Sequence, residues 1–273
     1  MRKSECENVK DDKIQAIATT GRKWNRASEK LARQMAEKLA VPYAERGRMA
    51  IPELCESYGA KFALVAKQGL LTLVTPEAEL FFHPNMAHLR LKNLRFGDGD
   101  RMAEAMDLQP GMDVLDCTLG FGADAIVASS VVGNSGSVTG LESQPLIEAV
   151  VGYGLANYTN DSETVIAAMR RVQTHAIEAY EYLQAQPDDS VDVIYFDPMF
   201  RHPFAESKNI APLRPVANKN PLSLEVIAEA QRVARHRIVL KESSKSREFD
   251  RLGFTERAGG RYSKVQYGVM RLH

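Results

Sequence analysis

The chain of 273 residues is short of several things, and each shortage excludes a class of protein. It has three cysteines, Cys6, Cys55 and Cys117, an odd number at wide spacing, which suits neither a disulfide framework nor a zinc pattern and points to reduced thiols. No apolar run approaches the roughly 18 residues of a membrane span, so no membrane partner is expected. The first residues, MRKSECENVKDDK, lack an apolar core and a small-residue cleavage site, and a cytoplasmic location is the expectation. Internal repeats are absent. At 44% hydrophobic and 26% charged, the composition is that of a globular protein able to bury a core.

Net charge is also lacking, but the zero conceals a pattern. Residues 1–50 carry 12 Lys and Arg against 7 Asp and Glu; residues 102–200 carry 2 against 15; residues 231–273 carry 11 against 4. Basic ends around an acidic middle allow one surface to attract a polyanion although the sum vanishes, and ordinary solvated helices give the same counts.

Two regimes of periodicity follow one another. Ile14 to Thr20 suggests a strand, and Asn25 an N-cap for a helix over Arg26 to Ala40 with Ala27, Leu31, Met35 and Leu39 on one face. Lys61–Ala66 and Leu70–Val74 suggest a hairpin, with a third strand at Leu80–Phe82. From about residue 100, strands at Asp113–Cys117, Ser137–Leu141, Val172–His175, Val191–Phe196 and Arg237–Lys241 alternate with helices near 123–131, 145–157, 177–184 and 222–234. This is the rhythm of a doubly wound parallel α/β sheet, which the segment Arg261–Met270 closes with a last strand. The expected organisation is a small α/β subdomain over 1–85, a candidate for RNA binding, and a larger domain over 86–273. Arg201–Pro221, with four prolines and no periodicity, reads as a long loop.

Between the first of these sheet strands and its helix stands Asp116-Cys-Thr118-Leu-Gly120-Phe-Gly122-Ala123-Asp124. Such a turn lets the backbone approach a ligand closely and aims helix N-terminal amides at it. Glu142 ends the next strand 22 residues after Gly120, where an acid bonds ribose hydroxyls in nucleotide-binding α/β folds. Gly120-x-Gly122-x-x-Ala125 also matches a dinucleotide fingerprint. Asp116 and Asp124 beside the turn would repel a pyrophosphate, however, and would favour the ammonium and sulfonium of S-adenosylmethionine. A structural glycine turn is the third reading.

Val191–Phe196 runs into Asp197-Pro198-Met199-Phe200, at the strand end where α/β sheets bind ligands. An exocyclic amino group of a base is a poor nucleophile. Asp197 and the Pro198 carbonyl could accept its N–H bonds and favour the charge that develops on methyl transfer, with Phe200 stacked on the base. Lys241 to Arg247, after the fifth strand, fits either RNA-backbone contact or a solvated turn. His83 and His88 lack further ligands at suitable spacing, and no metal is expected. By its own pattern His88 is a plain loop histidine.

The Asp-Pro-Met-Phe loop and the Asp-x-Thr-x-Gly-x-Gly-x-Asp turn, with Met86-Ala87-His88 and His175-Ala176, resemble the RsmJ-like family of small-subunit ribosomal RNA guanine-N2 methyltransferases over about residues 60–270. The resemblance implies a Rossmann-like methyltransferase sheet, S-adenosylmethionine as cofactor, and ribosomal RNA or a ribosomal particle as partner. It implies donor contacts at Ala123, Asp124, Glu142, Ser143 and Asp197, with His175, Ala176 and Ile177 beside them. A part for His88 in closing over the donor or positioning a phosphate is implied only by this resemblance. The chain departs from the family where a pair of serines becomes Ile177-Glu178, where Arg201-His202-Pro203 replaces Pro-His, and where the basic run after His88 thins to Leu89-Arg90-Leu91-Lys92. A methyltransferase for a small molecule or protein amide, and a noncatalytic RNA-binding relative, are the competing readings.

Overall fold

The computed structural model describes residues 14–198, 220–260 and 263–272. Contacts divide these into two compact units, residues 14–69 with 74–76, and residues 70–73 with 77–272.

In the first unit, β1 (Ala16–Thr20) pairs in parallel with β2 (Phe62–Lys67), joined through α1 (Arg26–Lys38) and α2 (Ile51–Ser57). Asn25 caps α1 as its sequence suggests, its side chain accepting from Ser28 N at 2.9 Å. The buried face of α1 is Ser28, Leu31, Ala32 and Ala36; Met35 is half-buried at its margin, and Ala27, expected on the apolar face, is exposed. Ile17, Leu54, Ala63 and Val65 form the core of this unit.

β3 (Leu70–Val74) follows β2 after Gln68 and Gly69, both at positive φ. Then come β4 (Glu79–Phe81), α3 (Asn85–Phe96) and α4 (Arg101–Met106). The second unit is built on alternating elements: β5 (Asp113–Asp116), α5 (Ala123–Val132), β6 (Ser137–Glu142), α6 (Pro145–Asn157), α7 (Glu163–Arg171), β7 (Val172–Ala176), α8 (Ala179–Gln184) and β8 (Val191–Phe196). It continues with α9 (Leu224–Val233), β9 (Ala234–Ser243), α10 (Glu248–Arg251), β10 (Glu256–Ala258) and β11 (Val265–Arg271).

The seven strands of this unit stand in the order β10-β11-β9-β8-β5-β6-β7. β5 to β9 are mutually parallel where they neighbour, and β11 is antiparallel to β9 and β10. Val193, Ile194, Tyr195 and Phe196 are all buried, as expected of a central strand covered on both faces. The fold is therefore the doubly wound, Rossmann-like sheet. Helices α3, α4 and α7 and strand β10 lie outside the expected set. α8 starts at Ala179 instead of Ile177 because Ile177 N still donates to Glu142 O at 3.0 Å, and α9 starts after its cap, Ser223. No helix among the described residues is long and apolar enough to cross a membrane. Phe200 and residues 201–219 of the long loop lie outside the described residues.

Candidate active site

The chain order reverses across the pair β5 and β8, since β6 and β7 extend the sheet to one side and β9 to the other. Ligands of such sheets lie beyond the carboxyl ends of the strands at that reversal. Both expected motifs meet there. Cys117 N donates to Tyr195 O at 2.9 Å, seating the turn on β8, and Leu119 N donates to Leu141 O at 2.8 Å, seating it on β6. Gly140 makes the second seat possible, because a Cβ there would stand 2.5 Å from Leu119 Cδ1. The Thr118 hydroxyl joins the two motifs: it bonds Asp116 Oδ1 at 3.3 Å and accepts from Asp197 N at 2.6 Å. Gly120 and Gly122, at φ of +50° and +75°, adopt the left-handed backbone that a side chain would disfavour. Gly120 N donates to Glu142 Oε2 at 3.2 Å, and Gln144 N to Glu142 Oε1 at 3.0 Å, so the acid is fixed facing the turn.

A cavity of about 330 Å³ opens at this point. Thr118, Gly120, Glu142, Ser143, Asp197 and Pro198 line it, together with the apolar surfaces of Leu141, Ile147, Phe196 and Val226. Glu178, Tyr180 and the stretch Asn220–Ser223 complete the wall and were not among the expected site residues. Glu178 occupies one of the positions where the chain departs from the family's serines, and that departure was the signal available. No lysine or arginine is among the described lining residues, whereas three carboxylates are.

The other expected contacts sit off this lining. Gly122 and Ala123 form the entry to α5, and Asp116 and Asp124 lie behind the turn. His175 is held in the β6–β7 register opposite Leu141, with its ring 5.7 Å from that of Tyr182; Ala176 follows it opposite Glu142, and Ile177 packs into the core. Phe200 was expected to stack on the acceptor and lies outside the described residues. His88 Nδ1 lies 3.0 Å from Asp161 Oδ2, and His83 Nε2 lies 3.3 Å from the Tyr158 hydroxyl. Cys117 lines the cavity as a protonated thiol, because burial pushes it well above its ordinary value.

The carboxylates of the turn differ sharply in environment. Asp124 is enclosed by Arg90, by the Tyr195 hydroxyl at 2.8 Å and by Lys241 Nζ at 3.1 Å. Burial alone would raise its pKa, but Lys241 and Arg90 overcome this and hold it well below the usual carboxylate range. Arg90 also forks onto Asp100 at 2.7 and 2.8 Å, tying α3 and the cap of α4 to α5. Lys241 reaches Asp197 Oδ2 at 2.6 Å, bridging the two acids. It therefore belongs to the interior network, not to the solvated or RNA-contacting turn considered from sequence. Asp197 is pushed up to about 6, first by burial and then by Asp124, against the opposing charge of Lys241. Asp116 is pushed up to about 8 by burial and by Asp124; its Oδ1 accepts from Thr118 N at 3.0 Å, and its buried Oδ2 has no partner among the described residues. The electrostatic preference argued from Asp116 and Asp124 is thus carried at the cavity by Glu142, Glu178 and Asp197. Arg90, Lys241 and Tyr195 were missed because no local pattern announces a cluster assembled from α3, β8 and β9.

The family model described as "Putative SAM-dependent methyltransferase" matches residues 53–255. The chain is 40% identical over 238 residues to the uncharacterized protein YpiP of Bacillus subtilis, covering 87% of this chain and 93% of that one. It is 31% identical over 234 residues to the ribosomal RNA small subunit methyltransferase J of Stutzerimonas stutzeri, covering 81% and 83%. A crystal structure of a SAM-dependent methyltransferase from Neisseria gonorrhoeae superposes with a TM-score of 0.63 at 17% identity over 94% of this chain and 95% of that one, which shows a shared fold.

Proposed function

This chain belongs to the RsmJ-like family of S-adenosylmethionine-dependent methyltransferases, and from that premise we propose that it methylates an exocyclic amino group, guanine N2 foremost, of a base in small-subunit ribosomal RNA in the cytoplasm. The enzyme class and the cofactor follow from the family; the acceptor is the proposal. The observation that carries it is Asp197, presented at the cavity wall by Thr118 and Lys241 across the switch point from Glu142.

The residues present fit the cofactor. Three carboxylates and no described lysine or arginine line the cavity, which suits a ligand bearing an ammonium and a sulfonium and opposes a pyrophosphate. Glu142 keeps lone pairs free beyond its two backbone bonds, as recognition of ribose hydroxyls requires. When bound, S-adenosylmethionine supplies a methyl group on a sulfonium, already activated for displacement.

What remains for the chain's own residues is orientation, exclusion of water and management of the amino proton. Asp197, ionised at neutral pH, accepts an N–H bond from the acceptor amine, and the Pro198 carbonyl accepts the second. That pair turns the nitrogen lone pair out of conjugation with the ring. As the nitrogen gains positive charge, both bonds strengthen, and the Asp197 carboxylate takes the proton that the nitrogen releases. Phe200 is assigned to stack on the base. The relative from Stutzerimonas stutzeri, named a ribosomal RNA small subunit methyltransferase, supports RNA as the substrate.

The test is transfer of labelled methyl groups to RNA and to ribosomal particles from cells lacking this protein. Label in small-subunit RNA is expected. Label confined to protein or small molecules would replace the RNA acceptor with one of those classes.

A further inference from the structure

The first unit holds ten Lys and Arg against five Asp and Glu between residues 14 and 69, and the surplus is concentrated. From Gly21 to Ser28 the chain reads Gly-Arg-Lys-Trp-Asn-Arg-Ala-Ser, without an acid. Trp24, the only tryptophan of the chain, is 58% exposed at the centre of this run. Single exposed apolar residues are common on surfaces and need no explanation by themselves. Here, however, Arg22, Lys23, Arg26 and Lys30 surround the indole in sequence, and among the described residues none of the four has a carboxylate partner. Arg33, one turn further along α1, differs: Glu29 holds it at 2.8 Å, and its guanidinium lies 4.0 Å over the Tyr43 ring. The unpaired cations therefore gather at the Trp24 end of the helix.

The loop is anchored on both sides of the indole. Gly21 N donates to Ala66 O at 2.9 Å, and Asn25 Oδ1 accepts from the Ser28 backbone at 2.9 Å and from its hydroxyl at 3.1 Å. Arg46 adds a further cation, donating to Thr20 O at 3.4 Å; burial, and then the charge of Arg22, lowers its pKa. Arg22, Lys23 and Arg26 repel one another with no acid between them in the sequence, and such a group gains most from an anionic partner. An aromatic face on a fixed loop gains most from a flat apolar ring. One ligand class offers both along a single strand: unpaired bases strung on phosphates.

We infer that the Gly21–Asn25 loop and the first turns of α1 form a docking surface for single-stranded RNA, on which Trp24 stacks against an unpaired base while Arg22, Lys23, Arg26 and Lys30 contact the phosphates to either side. The inference rests on the RNA substrate proposed above and deepens it. A duplex hides its base faces, and an acidic polypeptide has none, so neither uses the indole.

The experiment titrates the full-length protein, without methyl donor, with a short single-stranded RNA and follows tryptophan emission, to which only Trp24 contributes. Saturable quenching is expected. Trp24→Ala, followed by anisotropy of labelled RNA, should bind about 5- to 150-fold more weakly, the range for loss of one stacked base. Each of Arg22→Gln, Lys23→Gln and Arg26→Gln should lower the slope of log K against log salt by about 0.7, one phosphate contact on a single strand. Unchanged affinity in Trp24→Ala, or equal quenching by an RNA duplex or a polyglutamate, would overturn the inference. Quenching by single-stranded RNA in a protein that methylates no RNA would retain this surface and remove the reaction. Methylated RNA with Trp24→Ala at wild-type affinity would do the reverse.

Discussion

Replacing Asp197 by alanine removes the group on which the proposed chemistry depends while leaving its surroundings in place. The backbone bond from Asp197 N to Thr118 Oγ1, at 2.6 Å, does not involve the lost side chain and still joins the two motifs. Lys241 keeps Asp124 at 3.1 Å, so its amine is not orphaned. Burial and Asp124 already raise Asp197 to about 6, so the ionised side chain is not a net stabiliser at neutral pH, and the variant should fold. Donor affinity should fall modestly at most, because Glu142 and the glycine turn remain. Turnover should fall by about 100- to 1,000-fold, the loss typical of one preorganised group whose interaction strengthens in the transition state. Asp197→Asn should lie between, since its amide oxygen accepts one bond but carries no charge. The assay is single-turnover methyl transfer with donor and RNA saturating, so that binding defects cancel. Wild-type turnover in Asp197→Ala would make the residue structural and refute the amino-methylation mechanism.

S-adenosylmethionine and its demethylated product should raise the thermal midpoint by mass action and NAD should not; the opposite outcome in a thermal-shift titration would contradict the charge argument at the cavity. Activity should rise with pH through an acid limb near 6 as Asp197 ionises, and Lys241→Met should move that limb alkaline by about 1 to 3 units, the usual effect of removing an opposite charge in contact. A limb that stays in place under the same single-turnover conditions would show that Lys241 does not govern Asp197. Asp116 binds its proton to about pH 8 when folded and to about pH 4 when unfolded, so each unit between those values removes up to about 1.4 kcal/mol of stability. In urea unfolding, Asp116→Asn, which keeps an acceptor for Thr118, should gain stability relative to wild type as pH rises from 5 to 8; a constant difference would place the Asp116 carboxyl in a wetter site.

The parts of the fold legible in the sequence were those whose burial is regular. β5, β6, β8 and α6 fall within a residue or so of expectation because apolar segments bounded by turn residues have few alternatives. α3 was not legible, since Met86, Leu89 and Phe96 on it are exposed and Ala87 is its only fully buried residue, which erases the apolar stripe. β10, three residues with exposed or half-exposed side chains, carries no alternation to read. Within the site, Thr118, Gly120, Glu142, Ser143, Asp197 and Pro198 were legible because strand ends at a switch point must face the crevice. The bridge from Lys241 to Asp124 and Asp197 was not, because it joins residues 117 and 44 positions apart across the sheet. Asp124 illustrates the consequence: a local motif places it at the glycine turn, and long-range partners decide that its charge is neutralised there.

The atom that receives the methyl group defines the reaction. Small-subunit RNA from cells lacking the protein, incubated with the purified enzyme and labelled S-adenosylmethionine, is digested to nucleosides and resolved by mass. The label should appear in N2-methylguanosine at one position of that RNA and vanish with Asp197→Ala. Label on a ribose hydroxyl, on a ring carbon, or in no nucleoside at all would contradict the account.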